Sequence, residues 1–317
     1  MFQHSAQDKY RFLVPLDGSH LAEAVLPTVE HLASRFHAKV TLLHVMEQHA
    51  PATIHGERHL TGVAEARAYL EEVAARLRST DILVETHVHE DREENVARSI
   101  VEHAQESQSD LVIMCTHGRS GLRGLLFGSI AQQALRRGTY SILLVLPRED
   151  GNAPIFDLRR ILVPLDGTVA HEPALPVAMI LARAFDAEMH LVLVIPTLAT
   201  LSGSQAVSGM LLPTTMRAVL DLAQQGALDY LEQAAIQCRA QGVPVQSEVL
   251  RGDTVAVVLS FAEQLNVDLL VMASHGRAGL DALLAGSIAP RITGRVSCPL
   301  LLVRAGEPIA ESKDEPS

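Results

Sequence analysis

Residues 118–129 of this 317-residue chain bring together four glycines, two arginines and a closing Gly-Ser pair. Gly118, Gly121, Gly124 and Gly128 permit positive φ and let backbone N–H groups come close to an anion. Arg119 and Arg123 add positive charge. Gly128-Ser129 reads as a helix start, where free N–H groups and the positive dipole end attract phosphate, and the Ser129 hydroxyl is a further donor. The set returns as Gly276, Arg277, Gly279, Gly286 and Ser287. Each loop suits the phosphates of a nucleotide. No GxxxxGK[ST] occurs, and the loop follows the fourth strand rather than the first, so it is neither a Walker A loop nor a dinucleotide fingerprint.

Other reactive side chains carry competing readings. Asp17 and Asp166 follow the first strand of each repeat and either contact a ligand or stiffen a turn. His117 and His275 could act as general bases, but no partner carboxylate is evident, so packing or a hydrogen bond to the loop backbone is the simpler reading. Cys115 at a strand end reads as an inert small hydrophobe, with a redox thiol as the minor alternative. His44 reads as a satisfied strand histidine. His87 and His89 fall on one face of the third strand, where metal binding is a weak alternative; no all-protein metal site is expected. The run Glu90-Asp91-Arg92-Glu93-Glu94 reads as a solvated loop and helix start, and Arg136-Arg137 as a complement to a helix dipole.

The elements that must hold these residues are duplicated. Arg11-Phe12-Leu13-Val14-Pro15-Leu16-Asp17-Gly18-Ser19 returns as Arg160-Ile161-Leu162-Val163-Pro164-Leu165-Asp166-Gly167-Thr168, an offset of 149 that also aligns Phe36-His37-Ala38 with Phe185-Asp186-Ala187. The loops Thr116–Leu122 and Ser274–Leu280, and Gly128–Ala131 and Gly286–Ala289, align at an offset of 158. The second copy therefore gained about nine residues, and the stretch 196–215 is the natural place for most of them. A period near 150 means two whole domains. We expect a first domain over 1–148, a linker over 149–154, a second domain over 155–306 and a disordered tail over 307–317.

In the first copy, strands are expected at 12–16, 39–45, 82–88, 110–115 and 142–146, with helices from residue 19 or 20 to about 33 and at 62–79, 94–107 and 129–137. The second copy repeats the order, with strands at 161–165, 189–195, 245–250, 268–273 and 300–303. Aliphatic strands alternating with helices imply βαβ units and a parallel sheet covered on both faces. Composition agrees: 48% of residues are hydrophobic, only 3% aromatic, and Trp is absent, so aliphatic side chains must fill the core.

The net charge of −11 opposes nucleic-acid binding through a bulk positive field. Three cysteines without a CxxC oppose a disulfide framework or a structural zinc. The opening MFQHSAQDKYRF has no apolar signal core, and no apolar run is long enough to cross a membrane. A cytoplasmic protein that binds neither nucleic acid nor membrane is expected.

The chain resembles the universal stress protein family in its tandem, ATP-binding form. The resemblance rests on V-P-L-D-G-[S/T] and [T/S]-H-G-R-[S/A]-G-L in each half, and on the pattern G-x2-G-x9-G-[S/T] after strand four. Gly118 and Gly128-Ser129 match the second part of that pattern, as do Gly276 and Gly286-Ser287. Cys115 and Ala273 stand where it opens with glycine, which should lower affinity; the pocket rims differ at Glu90–Glu94 and across 196–215, so equal affinity at the two sites is not expected. The resemblance implies two Rossmann-like, adenine nucleotide alpha hydrolase-like domains, each a five-stranded parallel sheet of order 3-2-1-4-5. It puts Pro15, Leu16, Asp17 and Ser19, with Pro164, Leu165, Asp166 and Thr168, at the adenosine end. Val45 and Val194 would offer backbone groups to adenine. The triphosphate would lie among Cys115, His117, Gly118, Arg119, Gly128, Ser129 and Ile130, and among Ala273, His275, Gly276, Arg277, Gly286, Ser287 and Ile288, with Mg bridging its oxygens. The halves would form an intrachain pseudo-dimer through their fifth strands, covering an exposed edge; further homo-oligomers and a protein partner stay open. The implied function is an ATP-binding stress-response module with little or no turnover. A slow ATPase or autophosphorylating enzyme, an interaction protein with vestigial pockets, and an electron-transfer flavoprotein subunit are the alternatives.

Overall fold

The computed structural model describes residues 9–49, 53–54, 57–58, 60–116, 133, 140–147, 156–168, 173–201, 203–274 and 288–304. In the first half these form β1 (Arg11–Pro15), α1 (His20–Glu23), α2 (Leu26–Phe36), β2 (Lys39–Glu47), a small hairpin of β3 (Thr53–Ile54) and β4 (Glu57–Arg58), α3 (Val63–Arg78), β5 (Leu83–Glu93), α4 (Val96–Glu106), β6 (Leu111–Cys115) and β7 (Ser141–Val145). The second half holds β8 (Arg160–Leu165), α5 (Ala174–Phe185), β9 (Glu188–Ile195), α6 (Gly203–Leu211), α7 (Pro213–Ala240), β10 (Val245–Arg251), α8 (Thr254–Gln264), β11 (Leu269–Ser274), α9 (Ile288–Thr293) and β12 (Leu300–Arg304).

Ten strands form one sheet in the order β10-β9-β8-β11-β12-β7-β6-β1-β2-β5. Within each half every pairing is parallel and the order is 3-2-1-4-5, as expected. The halves meet where β12 runs antiparallel to β7, with Leu300, Leu301 and Leu302 opposite Leu144, Leu143 and Ile142. The fifth strands thus cover each other's edges. The buried core on one face runs from Phe12, Leu143 and Val145 to Ile161, Leu301 and Val303, and that on the other from Ile142 and Leu144 to Leu300 and Leu302, so both span the seam. Four aromatic side chains meet between the halves. Phe36 and Phe185, equivalent residues, meet edge to face at 6.3 Å, flanked by Tyr10 at 5.3 Å from Phe36 and Phe156 at 5.8 Å from Phe185.

The repeated segments are the places where backbone geometry is demanding. His37 and Asp186 close α2 and α5 in the left-handed region, at φ 48° and 54°. Each is followed by a fully covered alanine, Ala38 or Ala187. Gly18 and Gly167, at φ 93° and 78°, turn the chain after the first strand of each half, where an L side chain would be strained.

Three expectations need correction. The first helix is not continuous: it breaks after α1 and restarts at Leu26-Pro27, because Pro27 has no N–H for the preceding turn and its ring crowds the carbonyl four residues back. The run Glu90–Glu93 is the end of β5, paired with β2 as far as Glu47↔Glu93 through an irregularity after Val45, rather than a loop. Finally, the net gain of nine residues in the second half stands, but it is the sum of a larger gain and a partial reversal rather than one insertion. The buried face of α3, Ala66, Leu70, Val73, Ala74 and Leu77, recurs as Ala227, Leu231, Ala234, Ala235 and Cys238 on α7, an offset of 161. α7 has 28 residues against 16 in α3, and the shorter turn at Gly252 then returns the offset to 158.

Asp253 caps α8 by accepting a hydrogen bond from the Ala256 N–H at 2.9 Å; the equivalent Asn95 caps α4 from the Arg98 N–H at 3.1 Å. Hydrogen bonding to Ala256, with Arg291 nearby, holds the Asp253 carboxyl below its ordinary range. Asp253→Ala should cost about 1 kcal/mol in urea unfolding at neutral pH. A depressed carboxyl stabilises above its unfolded pKa and ceases to do so as pH falls through the folded value. The gap between wild type and Asp253→Ala should therefore narrow below about pH 4, while the gap for Asn95→Ala should not.

Candidate functional site

β1 and β6 are parallel neighbours that pair near their amino ends, with Phe12 and Leu13 opposite Leu111 and Val112, so their carboxyl ends open on the same side of the sheet; β8 and β11 repeat the arrangement with Ile161 and Leu162 opposite Leu269 and Leu270. The chain leaves β1 toward β2 and leaves β6 toward β7, so connections diverge here. Such a switch point is where open α/β sheets bind ligands.

Asp17 and Asp166 stand at these points in matching geometry. Asp17 Oδ1 accepts from the Ser19 N–H at 2.9 Å and hydroxyl at 2.6 Å; Asp166 Oδ1 accepts from the Thr168 N–H at 2.9 Å and hydroxyl at 2.7 Å. The turn-stiffening role is therefore present in both halves. Ser19 is fully buried and its Oγ in turn accepts from the Ala22 N–H at 3.1 Å, capping α1. Pro15 ends β1, and Leu16 is buried with its N–H donated to Leu43 O at 2.8 Å. Pro164 and Leu165 end β8. The surroundings of the two turns differ. Asp17 is half-buried and Asp166 exposed. A Cβ on Gly18 would lie 2.7 Å from Leu60, whereas one on Gly167 would meet only Leu193, at 3.7 Å. Leu60 thus closes over the first turn.

Val45 and Val194 lie within β2 and β9, two residues and one residue before the strands end. His44 is a buried strand histidine, as expected, with Nδ1 2.8 Å from Leu16 O. Cys115 ends β6 opposite Val145; its equivalent Ala273 lies opposite Val303 in β11. Cys115 packs against the core of that face, and Ala273 is part of it, so both small side chains that replace glycine are taken up by packing. Ile288 opens α9. His117, Gly118, Arg119, Gly128, Ser129, Ile130, His275, Gly276, Arg277, Gly286 and Ser287 lie outside the described residues.

Burial and the neighbouring Asp17 charge push the Cys115 thiol up to about 12. Burial likewise raises Cys298 to about 12 and raises Cys238. A thiol held that far up stays protonated at pH 8, and thiolate is the reactive form. In the native protein at pH 8, mass spectrometry after iodoacetamide treatment should find Cys115 unmodified, with labelling of all three cysteines only after guanidinium unfolding. Rapid native labelling of Cys115 would restore the redox reading.

Sequence reasoning missed Tyr69. Its hydroxyl is raised above the ordinary tyrosine range by burial, then by Glu23 and by Asp17, which puts an aromatic side chain and a second carboxylate beside the first turn. Glu23 itself is paired with Arg76 at 2.5 Å. The signal was Tyr230, the equivalent of Tyr69 at the offset of 161, which is visible only once the lengthening of α7 is known.

Comparison with known proteins agrees with this architecture. The sequence model of the universal stress protein family matches residues 10–145 and again 157–304. A universal stress protein of Mycolicibacterium smegmatis is 26% identical over 313 residues, covering 93% of this chain and 97% of its own. One from Bacillus subtilis is 27% identical over 149 residues, 46% of this chain and 98% of its own. The crystal structure of a universal stress protein from Archaeoglobus fulgidus superposes with a TM-score of 0.66 at 18% identity, covering 93% of this chain and 98% of that one. No described helix is long and apolar enough to cross a membrane. With two matched domains, a duplicated 3-2-1-4-5 sheet and a covered seam, the chain belongs to the universal stress protein family, in its tandem two-domain form.

Proposed function

We propose that the protein is an ATP-binding stress-response module of the cytoplasm, with one nucleotide site at each switch point and little or no turnover. The observation that carries this reading is the duplicated turn of Asp17 and Asp166. The same carboxylate geometry, the same positive-φ glycine and the same pair of strand ends recur in both halves. Each turn precedes, across the sheet, a sequence rich in phosphate-binding residue types. Gly118, Gly128 and Ser129 in one half, and Gly276, Gly286 and Ser287 in the other, would hold the triphosphate, with Mg supplied alongside it. Bound Mg would neutralise phosphate charge. The Cys115 thiol, held protonated, does not offer a nucleophile. The more enclosed first turn supports unequal affinities.

The test is chemical extraction of nucleotide from purified protein, with chromatography of the extract, and a thermal shift on adding ATP and Mg. Bound adenine nucleotide or a stabilising shift supports the reading; neither, in wild type, removes it. A steady-state phosphate-release assay, with Gly128→Val and Gly286→Val as controls, separates a slow ATPase from a binding module.

A further inference from the structure

Away from the switch point, on the outermost strand of the first half, three imidazoles converge. His87 and His89 lie two residues apart on β5 and so share a face; their sheet partners are Leu43 and Val45. α4 crosses that face and adds His103. The ring of His103 lies 4.6 Å from that of His87 and 5.0 Å from that of His89, and one donor nitrogen from each of the three falls within 4.8 Å of the others.

Carboxylates fix the outer nitrogens. His89 Nε2 is 3.3 Å from Glu93 and His103 Nδ1 is 3.3 Å from Glu106. A neutral imidazole has one N–H, and beside a carboxylate that N–H belongs on the nitrogen facing the acceptor. His89 Nδ1 and His103 Nε2 are then both lone-pair atoms, and they face each other at 2.9 Å. Such a pair is satisfied either by one proton, as an N–H···N hydrogen bond, or by a cation that both lone pairs and the adjoining His87 can share. Carboxylate–histidine pairs of this kind orient the ligands of metal centres.

We propose that His87, His89 and His103 bind one late first-row divalent cation of the zinc class, with Glu93 and Glu106 orienting two of the rings. Imidazole nitrogens suit Zn, Cu, Ni and Co, whereas Mg and Ca prefer oxygen. Zn–N bonds of about 2.1 Å in tetrahedral geometry place the donors roughly 3.4 Å apart. Rotation on the order of an ångström, easiest at the exposed His87, therefore closes the set and leaves a fourth position open to water. The second half supplies the contrast. Its β10 has Glu248 and Leu250 opposite Val192 and Val194, and its α8 has Phe261, at the three equivalent places. The site belongs to the first half alone, and it is independent of nucleotide.

The experiment uses the untagged full chain, stripped with chelator and free of nucleotide, titrated with Zn²⁺ by calorimetry and with Co²⁺ by visible absorption. Wild type is expected to take up one equivalent, and Co²⁺ to give the intense visible bands of tetrahedral coordination. The variant His89→Leu/His103→Phe, which installs residues the same fold already accepts in its second half, should lose that equivalent while retaining its far-ultraviolet circular dichroism. Glu106→Gln should weaken binding by about tenfold or more. Absence of a stoichiometric equivalent in wild type overturns the proposal. So does uptake by the double variant equal to that of wild type. Should the double variant fold poorly, Glu106→Gln decides on its own: undiminished affinity there counts against the carboxylate-oriented site.

Discussion

Leu301→Asp should abolish cooperative folding of both halves, although the residue lies in the second. Leu301 is 1% exposed, opposite Leu143 in the one antiparallel pairing of the ten-stranded sheet among the described residues. An unpaired carboxylate there loses its hydration without compensation and costs several kcal/mol, a large part of a total stability of about 5–15 kcal/mol. The milder Leu301→Ala should cost about 2–5 kcal/mol. The stronger expectation concerns which residues unfold. Because both buried faces cross the seam and Phe36 meets Phe185 between the halves, loss at β12 removes the covering of β7. Hydrogen exchange resolved by mass spectrometry should show Leu301→Ala lowering the protection of β6 and β7 together with that of β11 and β12. Two separate thermal transitions, with only the later-sequence half destabilised, would contradict a single cooperative sheet.

The seam was legible in the sequence because its parts are local. Short aliphatic runs of similar length in each half give strands, and the family's strand order makes the fifth strand an edge that needs a partner. The repeated Phe36-His37-Ala38 and Phe185-Asp186-Ala187 were visible as a match. Their physical meaning is a left-handed helix cap followed by a buried alanine, together with an aromatic contact between halves, and that meaning depends on how the two halves pack. The carboxylate turns were legible for the same reason as the strands: Asp-Gly-Ser and Asp-Gly-Thr carry a turn within three residues.

What stayed hidden depends on residues far apart in sequence or on a changed spacing. His103 follows His87 by sixteen positions, and only the packing of α4 on β5 brings the rings together. The acidic run at Glu90–Glu93 looked like solvent-facing loop because its side chains are polar. An edge strand needs only one apolar face, and β5 continues through it by pairing with β2. The equivalence of Tyr69 and Tyr230 was masked by a longer helix and a shorter turn that partly cancel in the residue count.

The two aspartates allow the nucleotide reading to be separated from the turn itself. Asp17→Asn keeps an Oδ1 that can accept from Ser19 but loses the charge, whereas Asp17→Ala loses both. If the carboxylate also accepts a hydrogen bond from bound nucleotide, its loss should cost about 1.5–3 kcal/mol, or roughly 10- to 150-fold in affinity at that site. β1 and β8 are five strand spacings apart in the sheet, about 24 Å at about 4.8 Å each, so effects at the two sites should be additive. Calorimetric titration with ATP and Mg should therefore find two equivalents in wild type, one weakened in Asp17→Asn, the other weakened in Asp166→Asn, and both weakened in the double variant. Unfolding free energies of the Asn variants should stay within about 1 kcal/mol of wild type, since the turn acceptor is retained. If the Asn variants bind as wild type does and only the Ala variants weaken, the aspartates shape the turn and the ligand contact must be sought elsewhere at the switch point. Because Asp17 is the more enclosed of the pair, with Leu60 against Gly18, the larger loss is expected at the first site, where a charge-assisted hydrogen bond is less diluted by water.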